Sequence, residues 1–324
     1  MRNTIYSIIL LSYFFANAQK IDLELASDVF PPFTNISSEK SFAIELVNEA
    51  LKRGNVKANT SINSFEAVLD GINAKKYDGS AALWKTTDRE DYMIFSDPYL
   101  ENRLVLVGRK GSDVSAKTFS DLKNKKIAII GGYAYGASVY TSLDIVIVQG
   151  KNDQENLEKL LSFKTDYMLV DELLISYLLT YQLNDVTKFL EIGKNPLITK
   201  PLHLAILKSK EGAEKIIQDF NLNIKEMIKD GSYHDILELN WIQYDADGDG
   251  TLELVSNNSN SGEEAPVNYY RLMSENSLVN ETERYLIDGE IYNSWQGIPE
   301  KYKQNILDAA KLNSNGDSGL RLKF

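Results

Sequence analysis

Between residues 20 and 241, hydrophobic and polar positions follow two alternating periods. From Ile21 to Ala26 apolar and polar side chains alternate, which predicts a half-buried strand. From Phe42 to Leu51 the apolar side chains recur at helical spacing, and Gly54 ends that stripe. A second helical stripe follows Ser64, a residue type that favours the N-cap of a helix.

Three short apolar runs follow, at Leu104 to Val107, Ile127 to Ile130 and Tyr167 to Val170. Runs of this kind are typical of strands that are buried on both faces. A long helical stripe from Ile216 to Ile228 then stops at Gly231. Strands that alternate with helices predict an α/β fold with mainly parallel sheets.

The pattern changes after Trp241. Residues 244–254 are rich in Asp and Gly, and residues 256–264 have the composition of a solvated linker. We therefore expect a small C-terminal extension over residues 242–324.

The N-terminus has the pattern of a secretory signal peptide. Arg2 precedes an apolar run from Ile5 to Phe15, and Ala16-Asn17-Ala18 is a small-x-small cleavage site. A buried N-terminal helix is the weaker alternative. We expect residues 1–18 to be removed, so that the protein starts at Gln19 and is periplasmic and soluble, without membrane insertion.

Composition narrows the chemistry. The chain has no cysteine and only two histidines, which excludes disulfides and thiolate zinc sites. A hydrophobic fraction of 43% over 324 residues suits a globular protein of about two domains. Removal of Arg2 changes the net charge from −11 to −12, which disfavours nucleic acid as a partner.

Four segments carry a resemblance to a known family. They are Asp28-Val-Phe-Pro-Pro-Phe33, Trp84 to Arg89 with Phe95 to Tyr99, Lys125 to Gly136, and Asp166 to Glu172. In this order and spacing they resemble the family 3 extracellular solute-binding proteins, the amino-acid receptors of ABC importers. The resemblance covers about Ile21 to Trp241.

This resemblance implies the type II periplasmic-binding-protein fold, in which two α/β lobes close on a ligand held in the cleft between them. Lobe 1 would comprise residues 19–101 and 201–241, and lobe 2 residues 102–200. We expect a monomer that binds an amino acid or a related zwitterion. Its expected protein partner is an ABC permease or a membrane receptor.

Arg89 is the expected site for the ligand carboxylate, because the resemblance places an arginine six residues before Phe95. A guanidinium group is a rigid fork that pairs with a carboxylate through two hydrogen bonds. The alternative is a surface arginine that bridges to Asp88 or Glu90.

Asp171 is the expected site for the ligand's ammonium group. It follows a predicted buried strand and opens a helix, where the resemblance implies that an acidic residue receives the ammonium. The alternative is an N-cap of the helix that begins at Glu172.

Aromatic residues complete the candidate site. By the resemblance Phe30 packs on the ligand, while Trp84 and Tyr133 stand where hydroxyl residues are usual, and Thr86 remains a hydroxyl candidate. Stacking rings would suit a bulkier, flatter or more apolar solute. The alternative is that Trp84 and Tyr135 only fill the wall of the pocket.

A calcium loop is predicted outside the resemblance. Alternating acidic residues and a turn glycine give the pattern Asp-x-Asp-x-Asp-Gly-x-x-Glu, with a structural Ca²⁺ as the expected cofactor. The expected ligands are Asp245, Asp247, Asp249, the carbonyl of Thr251, and Glu253. A merely acidic, solvated turn is the alternative.

Two other functions stay open. A cleft lyase of the cyclohexadienyl dehydratase type would need an acid or base beside Arg89, and Glu172 is an available carboxylate. A ligand-sensing receptor that is not tied to transport would use the same lobes. We expect a binding protein and no enzyme.

Overall fold

A computed structural model describes residues 21–35, 40–140, 144–175, 186–256, 270–272 and 284–303. The predicted signal peptide lies outside these residues. None of the helices in the described ranges is both long and apolar enough to cross a bilayer.

Nine strands of the described residues form one sheet. They are β1 (Ile21–Asp28), β2 (Val56–Asn63), β3 (Gly79–Leu83), β4 (Met93–Phe95), β5 (Leu100–Arg109), β6 (Lys125–Ile130), β7 (Ile145–Gly150), β8 (Tyr167–Asp171) and β9 (Leu190–Leu207). Their order is β2-β1-β3-β9-β5-β8-β6-β7, and β4 pairs with β9.

Helices pack on this sheet. They are α1 (Phe42–Arg53), α2 (Phe65–Asn73), α3 (Thr87–Glu90), α4 (Ala137–Tyr140), α5 (Asp153–Leu161), α6 (Val186–Phe189), α7 (Ala213–Asp230) and α8 (Ser232–Leu237). Residues 172–175 are also helical, and Phe119–Leu122, Trp295–Gly297 and Glu300–Tyr302 form short 3₁₀ helices.

Two predicted helix ends, at Ser64 and Gly231, are confirmed by local hydrogen bonding and backbone conformation. The Ser64 hydroxyl accepts a hydrogen bond from the Ala67 amide at 3.4 Å and caps α2. Gly231 ends α7 with a φ of 86°, in the left-handed region that favours glycine. The apolar stripe of α7 is buried in the main core, as its periodicity predicts.

The sheet is more mixed than the predicted mainly parallel sheets. The pairs β1–β2, β1–β3, β6–β7 and β6–β8 are parallel, whereas β5 and β9 pair with each other and with their other neighbours in the antiparallel sense. The reason is topological: β5 and β9 lie side by side in the sheet, between β2-β1-β3 and β8-β6-β7, and each runs against its neighbours. Lobe 1 denotes the described residues of the predicted ranges 19–101 and 201–241, and lobe 2 those of the predicted range 102–200.

A second sheet follows. It has five strands: β10 (Trp241–Tyr244), β11 (Glu253–Ser256), β12 (Tyr270–Arg271), β13 (Arg284–Ile287) and β14 (Glu290–Tyr292). The Tyr270 hydroxyl is hydrogen-bonded to both the carbonyl oxygen and the amide of Glu101, at the start of the crossing strand β5. The second sheet is therefore in contact with the main one at the point where the chain passes between the lobes.

Candidate functional site

A small cavity of about 30 Å³ lies where the two lobes meet. Lobe 1 contributes the end of β1, α2, the end of β3 and α3, and lobe 2 contributes the loop after β6. Aromatic rings form much of the wall: Phe30, Phe65, Trp84 and Tyr133. The other uncharged lining residues are Thr34, Ala82, Leu83, Ala134 and Leu202. The charged lining residues are Asp28 and Arg89.

Arg89 faces this cavity from the short helix α3. Its Nη1 donates a hydrogen bond to the Trp84 carbonyl at 2.6 Å, and its guanidinium carbon lies 5.5 Å from the centre of the Phe65 ring. Partial burial lowers the pKa of Arg89 below its ordinary value. Within the described residues Arg89 has no ion pair, and the neighbouring Glu90 pairs instead with Lys85 at 3.0 Å. A half-buried guanidinium without a carboxylate partner is suited to bind an anionic group.

Trp84 is fixed by a chain of side-chain hydrogen bonds. Its Nε1 donates to Asn102 Oδ1 at 2.8 Å, and Asn102 Nδ2 donates to Asp171 Oδ2 at 3.0 Å. The indole packs edge to face against Tyr133 and Tyr135, with both centroid distances at 5.6 Å. Trp84 therefore presents a fixed wall to the cavity.

Tyr133 crosses from lobe 2 to lobe 1. Its hydroxyl donates a hydrogen bond to Asp28 Oδ2 at 2.7 Å. Its ring meets those of Phe30, Phe65 and Trp84 at 5.6 to 5.7 Å between centroids. Burial raises the pKa of Asp28 above 3.8, although the Tyr133 hydrogen bond acts in the opposite direction.

Asp171 is not part of the cavity wall. Its side chain is only 2% exposed, and its oxygens accept hydrogen bonds from Asn102 Nδ2 and from the amides of Arg103 and Leu173 at 2.8 to 3.1 Å. The contact with the Leu173 amide is that of an N-cap. The geometry thus favours the alternative interpretation of Asp171, and its role in ammonium binding stays a prediction.

Four of the six predicted ligand residues line the cavity together, namely Phe30, Trp84, Arg89 and Tyr133. Thr86 precedes α3, and its carbonyl accepts the amides of Arg89 and Glu90, so its position is set by the helix start rather than by the cavity. Sequence reasoning assigned no role to Asp28, the carboxylate that the structure brings to the cavity. Its position at the carboxyl end of β1, two residues before Phe30, was the available signal.

The predicted calcium loop connects β10 to β11. Carboxylate oxygens of Asp245, Asp247 and Glu253 lie within 4.8 Å of one another. Asp249 is not in this group, since its oxygens accept hydrogen bonds from the Thr251 amide at 2.7 Å and from Arg284 Nη1 at 3.0 Å.

Arg284 on β13 adds a cation that the loop motif does not contain. Its guanidinium lies 3.3 Å from Asp247 and 3.2 Å from Glu253. Glu253 is fully buried, and this burial raises the pKa of its carboxyl. Asp245 accepts the amides of Gly248 and Gly250, both at left-handed φ, so the turn needs these glycines.

Comparison with known proteins assigns the chain to a family. The profile of the bacterial extracellular solute-binding proteins, family 3, matches residues 23–243. The L-cystine-binding protein TcyA of Bacillus subtilis (strain 168) is 25% identical over 218 residues, which cover 63% of this chain and 74% of that protein. The ABC transporter arginine-binding protein 1 of Escherichia coli (strain K12) is 27% identical over 138 residues, which cover 41% of this chain and 55% of that protein.

Solved structures show the same fold. An ancestral arginine-binding protein bound to arginine superimposes with a TM-score of 0.56 at 25% identity, over 67% of this chain and 96% of that one. The GluR0 ligand-binding core from Nostoc punctiforme, in complex with L-glutamate, superimposes with a TM-score of 0.55 at 20% identity, over 67% and 97%. The predicted two-lobed α/β architecture is confirmed by these likenesses.

Proposed function

Because the chain belongs to family 3 of the bacterial extracellular solute-binding proteins, we propose that it binds a small zwitterion, an amino acid or a close relative, between its two lobes. The observation that carries this proposal is the half-buried guanidinium of Arg89, which faces a cavity walled by both lobes and has no ion-pair partner within the described residues. The ligand carboxylate supplies the missing partner.

Closure follows from contacts with both lobes. A ligand that touches Arg89 on lobe 1 and the Tyr133 loop on lobe 2 stabilises the closed form more than the open form. Differential affinity of this kind is the only means by which a ligand shifts such an equilibrium. An ABC permease or a membrane receptor would then recognise the closed protein.

The test is a thermal-shift screen of the exported protein against the L-amino acids. A ligand that binds only the native state raises the melting temperature. Arg89→Ala is expected to weaken binding by roughly 100-fold, since it removes one partner of a buried charge pair. Lys110→Ala, which removes an exposed cation paired with Glu191, is the matched control. Unchanged affinity in Arg89→Ala would show that the cavity is not the binding site.

We propose binding without chemical transformation. Glu172, the available acid for a dehydratase, pairs with Arg103 at 2.6 Å and is not among the described residues that line the cavity. The relatives compared above are named as binding proteins, so the dehydratase alternative is not favoured. Incubation with prephenate-like acids checks this directly, because release of a dehydrated product would establish a lyase.

Export through a cleaved signal peptide is also proposed, with Gln19 as the first residue of the exported protein. It is supported by the extracellular family to which the chain belongs and by the pattern of residues 1–18. N-terminal sequencing of exported protein checks the cleavage site.

For the loop between β10 and β11 we propose a structural Ca²⁺ held by Asp245, Asp247 and Glu253, with the carbonyl of Thr251 and Asp249 as further ligands after rearrangement. Its support is the convergence of three carboxylates, one of them fully buried. Calcium is then expected to raise the melting temperature, and Glu253→Gln to abolish that rise. If calcium still raises the melting temperature of Glu253→Gln, and a chelator abolishes the rise in wild type, the ion binds elsewhere.

A further inference from the structure

The cavity between the lobes holds two opposite charges, and a neutral group of the chain contacts each of them. The Trp84 carbonyl accepts from Arg89 at 2.6 Å, and the Tyr133 hydroxyl donates to Asp28 at 2.7 Å. A hydrogen bond between a charged and a neutral group is weaker than one between two charged groups of opposite sign. A zwitterion can therefore replace both neutral contacts with stronger ones.

The Tyr133 hydroxyl stands where a ligand ammonium group would stand. It reaches Asp28 across the boundary between the lobes, as a donor at hydrogen-bond distance from a carboxylate of raised pKa. Its ring rests edge to face on Phe30, Phe65 and Trp84, so the same side chain also fills apolar volume. Tyr133 thus closes the cleft from within.

We propose that the cavity takes an amino acid with an uncharged, apolar side chain, and that its ammonium group displaces the Tyr133 hydroxyl from Asp28. This inference rests on the proposed function and names the class of its ligand. Asp28 binds the ammonium group of the ligand, and Arg89 binds its carboxylate. Among the described residues of the cavity wall no further charged side chain remains for a charged ligand side chain.

The wall itself favours apolar atoms. Four aromatic rings, together with Ala82, Leu83 and Ala134, would surround the ligand side chain. An unpaired cation buried among such groups carries a large desolvation penalty. Arginine is therefore disfavoured here, although relatives of this chain are named for arginine binding.

The first experiment measures affinity by calorimetry for L-phenylalanine, L-leucine and L-arginine. At least one of the two apolar amino acids is expected to bind about 100-fold more tightly than L-arginine, because only the arginine side chain is buried without a partner. Arginine binding as tight as that of both apolar amino acids would overturn the inference and leave the proposed function intact. Failure of every L-amino acid to bind would overturn the proposed function itself.

The second experiment changes the two residues of the interlobe hydrogen bond. Tyr133→Phe keeps the ring and removes the competing hydroxyl, so it is expected to tighten binding by roughly 2- to 10-fold. Asp28→Asn is expected to weaken binding by roughly 100-fold, since the ammonium loses its anion. Tyr167→Phe is the matched control, because it removes a tyrosine hydroxyl bond to the Asp113 carbonyl within lobe 2. Tyr133→Phe that binds no more tightly than wild type overturns the displacement step.

A third measurement needs no ligand. The chain lacks cysteine, so a donor and an acceptor dye can be attached at Glu66→Cys on lobe 1 and Lys123→Cys on lobe 2 without background labelling. Fluorescence energy transfer between the two dyes then reports the opening of the cleft. Both positions are exposed. Tyr133→Phe is expected to increase the open population, which has low energy transfer between the dyes, while Tyr167→Phe leaves this population unchanged. An identical distribution in wild type and Tyr133→Phe would show that the hydrogen bond to Asp28 does not hold the lobes together.

Discussion

Asp171 should be a structural residue, and its removal should destabilise the fold. Its buried carboxyl accepts hydrogen bonds from Asn102 Nδ2, the Arg103 amide and the Leu173 amide. Asp171→Ala leaves these three donors without an acceptor. Each buried donor left unsatisfied costs about 1 to 3 kcal/mol, although water entering the space offsets part of that cost. We expect the free energy of unfolding to fall by about 3 kcal/mol at pH 8.

The pH dependence of this loss has a definite sign. Burial raises the pKa of Asp171 to about 7 in the folded protein, from 3.8 in the unfolded chain, although hydrogen bonds from Leu173, Asn102, Arg103 and Leu174 act to lower it. The stabilisation of the protonated group is then fully present below pH 3.8 and is lost as the pH rises through 7. Between pH 5 and pH 8 the difference amounts to about 2 to 3 kcal/mol. Asp171→Ala should therefore cost more at pH 5 than at pH 8.

Urea unfolding of wild type and Asp171→Ala at both pH values measures the effect, and the difference between the two proteins removes the titration of every other group. Asp70→Ala, which changes an exposed residue in the interior of α2, is the control and should alter stability by less than about 0.5 kcal/mol. A loss that is larger at pH 8 would show that the hydrogen-bond donors around Asp171 hold it ionised. Undiminished stability at both pH values, together with lost ligand binding, would refute the structural role.

Two further predictions concern the main sheet and its connection to α8. Gly79→Ala should destabilise the protein by about 3 kcal/mol, because its Cβ would overlap the Ala205 carbonyl on the adjacent strand, whereas Gly54→Ala has room and serves as the control in thermal melts. Equal melting temperatures would contradict this. Tyr233→Phe should cost about 1 to 2 kcal/mol in urea unfolding, because the buried Tyr99 carbonyl loses its donor at 2.7 Å. A loss of the ligand response with unchanged stability would argue against that reason.

The periodic elements of the main sheet could be predicted from the sequence because their causes are local. The alternation from Ile21, the stripe of α7 and the Ser64 cap each depend on neighbours within a few residues. The antiparallel crossing strands could not be predicted this way. The run Leu104 to Val107 is compatible with either direction of pairing, because burial on both faces leaves no alternation to read.

The site was predictable only as far as residue types decide it. The motif placed Arg89 and Trp84 near the cleft, but the contact of Tyr133 with Asp28 joins residues 105 positions apart and depends on how a loop of lobe 2 packs. Asp171 shows the same limit, since an aspartate between a buried strand and a helix suits a cap and a ligand contact equally well. Likewise the spacing of the Asp-rich loop says nothing of Arg284, which comes from a later strand.

The difference between Asp171 and Asp28 indicates which buried carboxylate is available to a ligand. The partners of Asp171 include backbone amides at a helix start and an asparagine that also holds Trp84, so releasing them would disturb the helix start and the cavity wall together. Within the described residues, the Asp28 carboxylate accepts a side-chain hydrogen bond from one neutral hydroxyl, that of Tyr133, which lies on a loop, so its exchange disturbs no helix or strand. Arg89 is held in the same way by a single carbonyl. Since two opposite charges add Coulomb attraction to the hydrogen bond, a zwitterion gains at both ends by replacing these contacts to neutral groups. In a binding site of this kind, the chain's own hydrogen bonds to the charged groups are weaker than those the ligand makes, so the ligand can replace them.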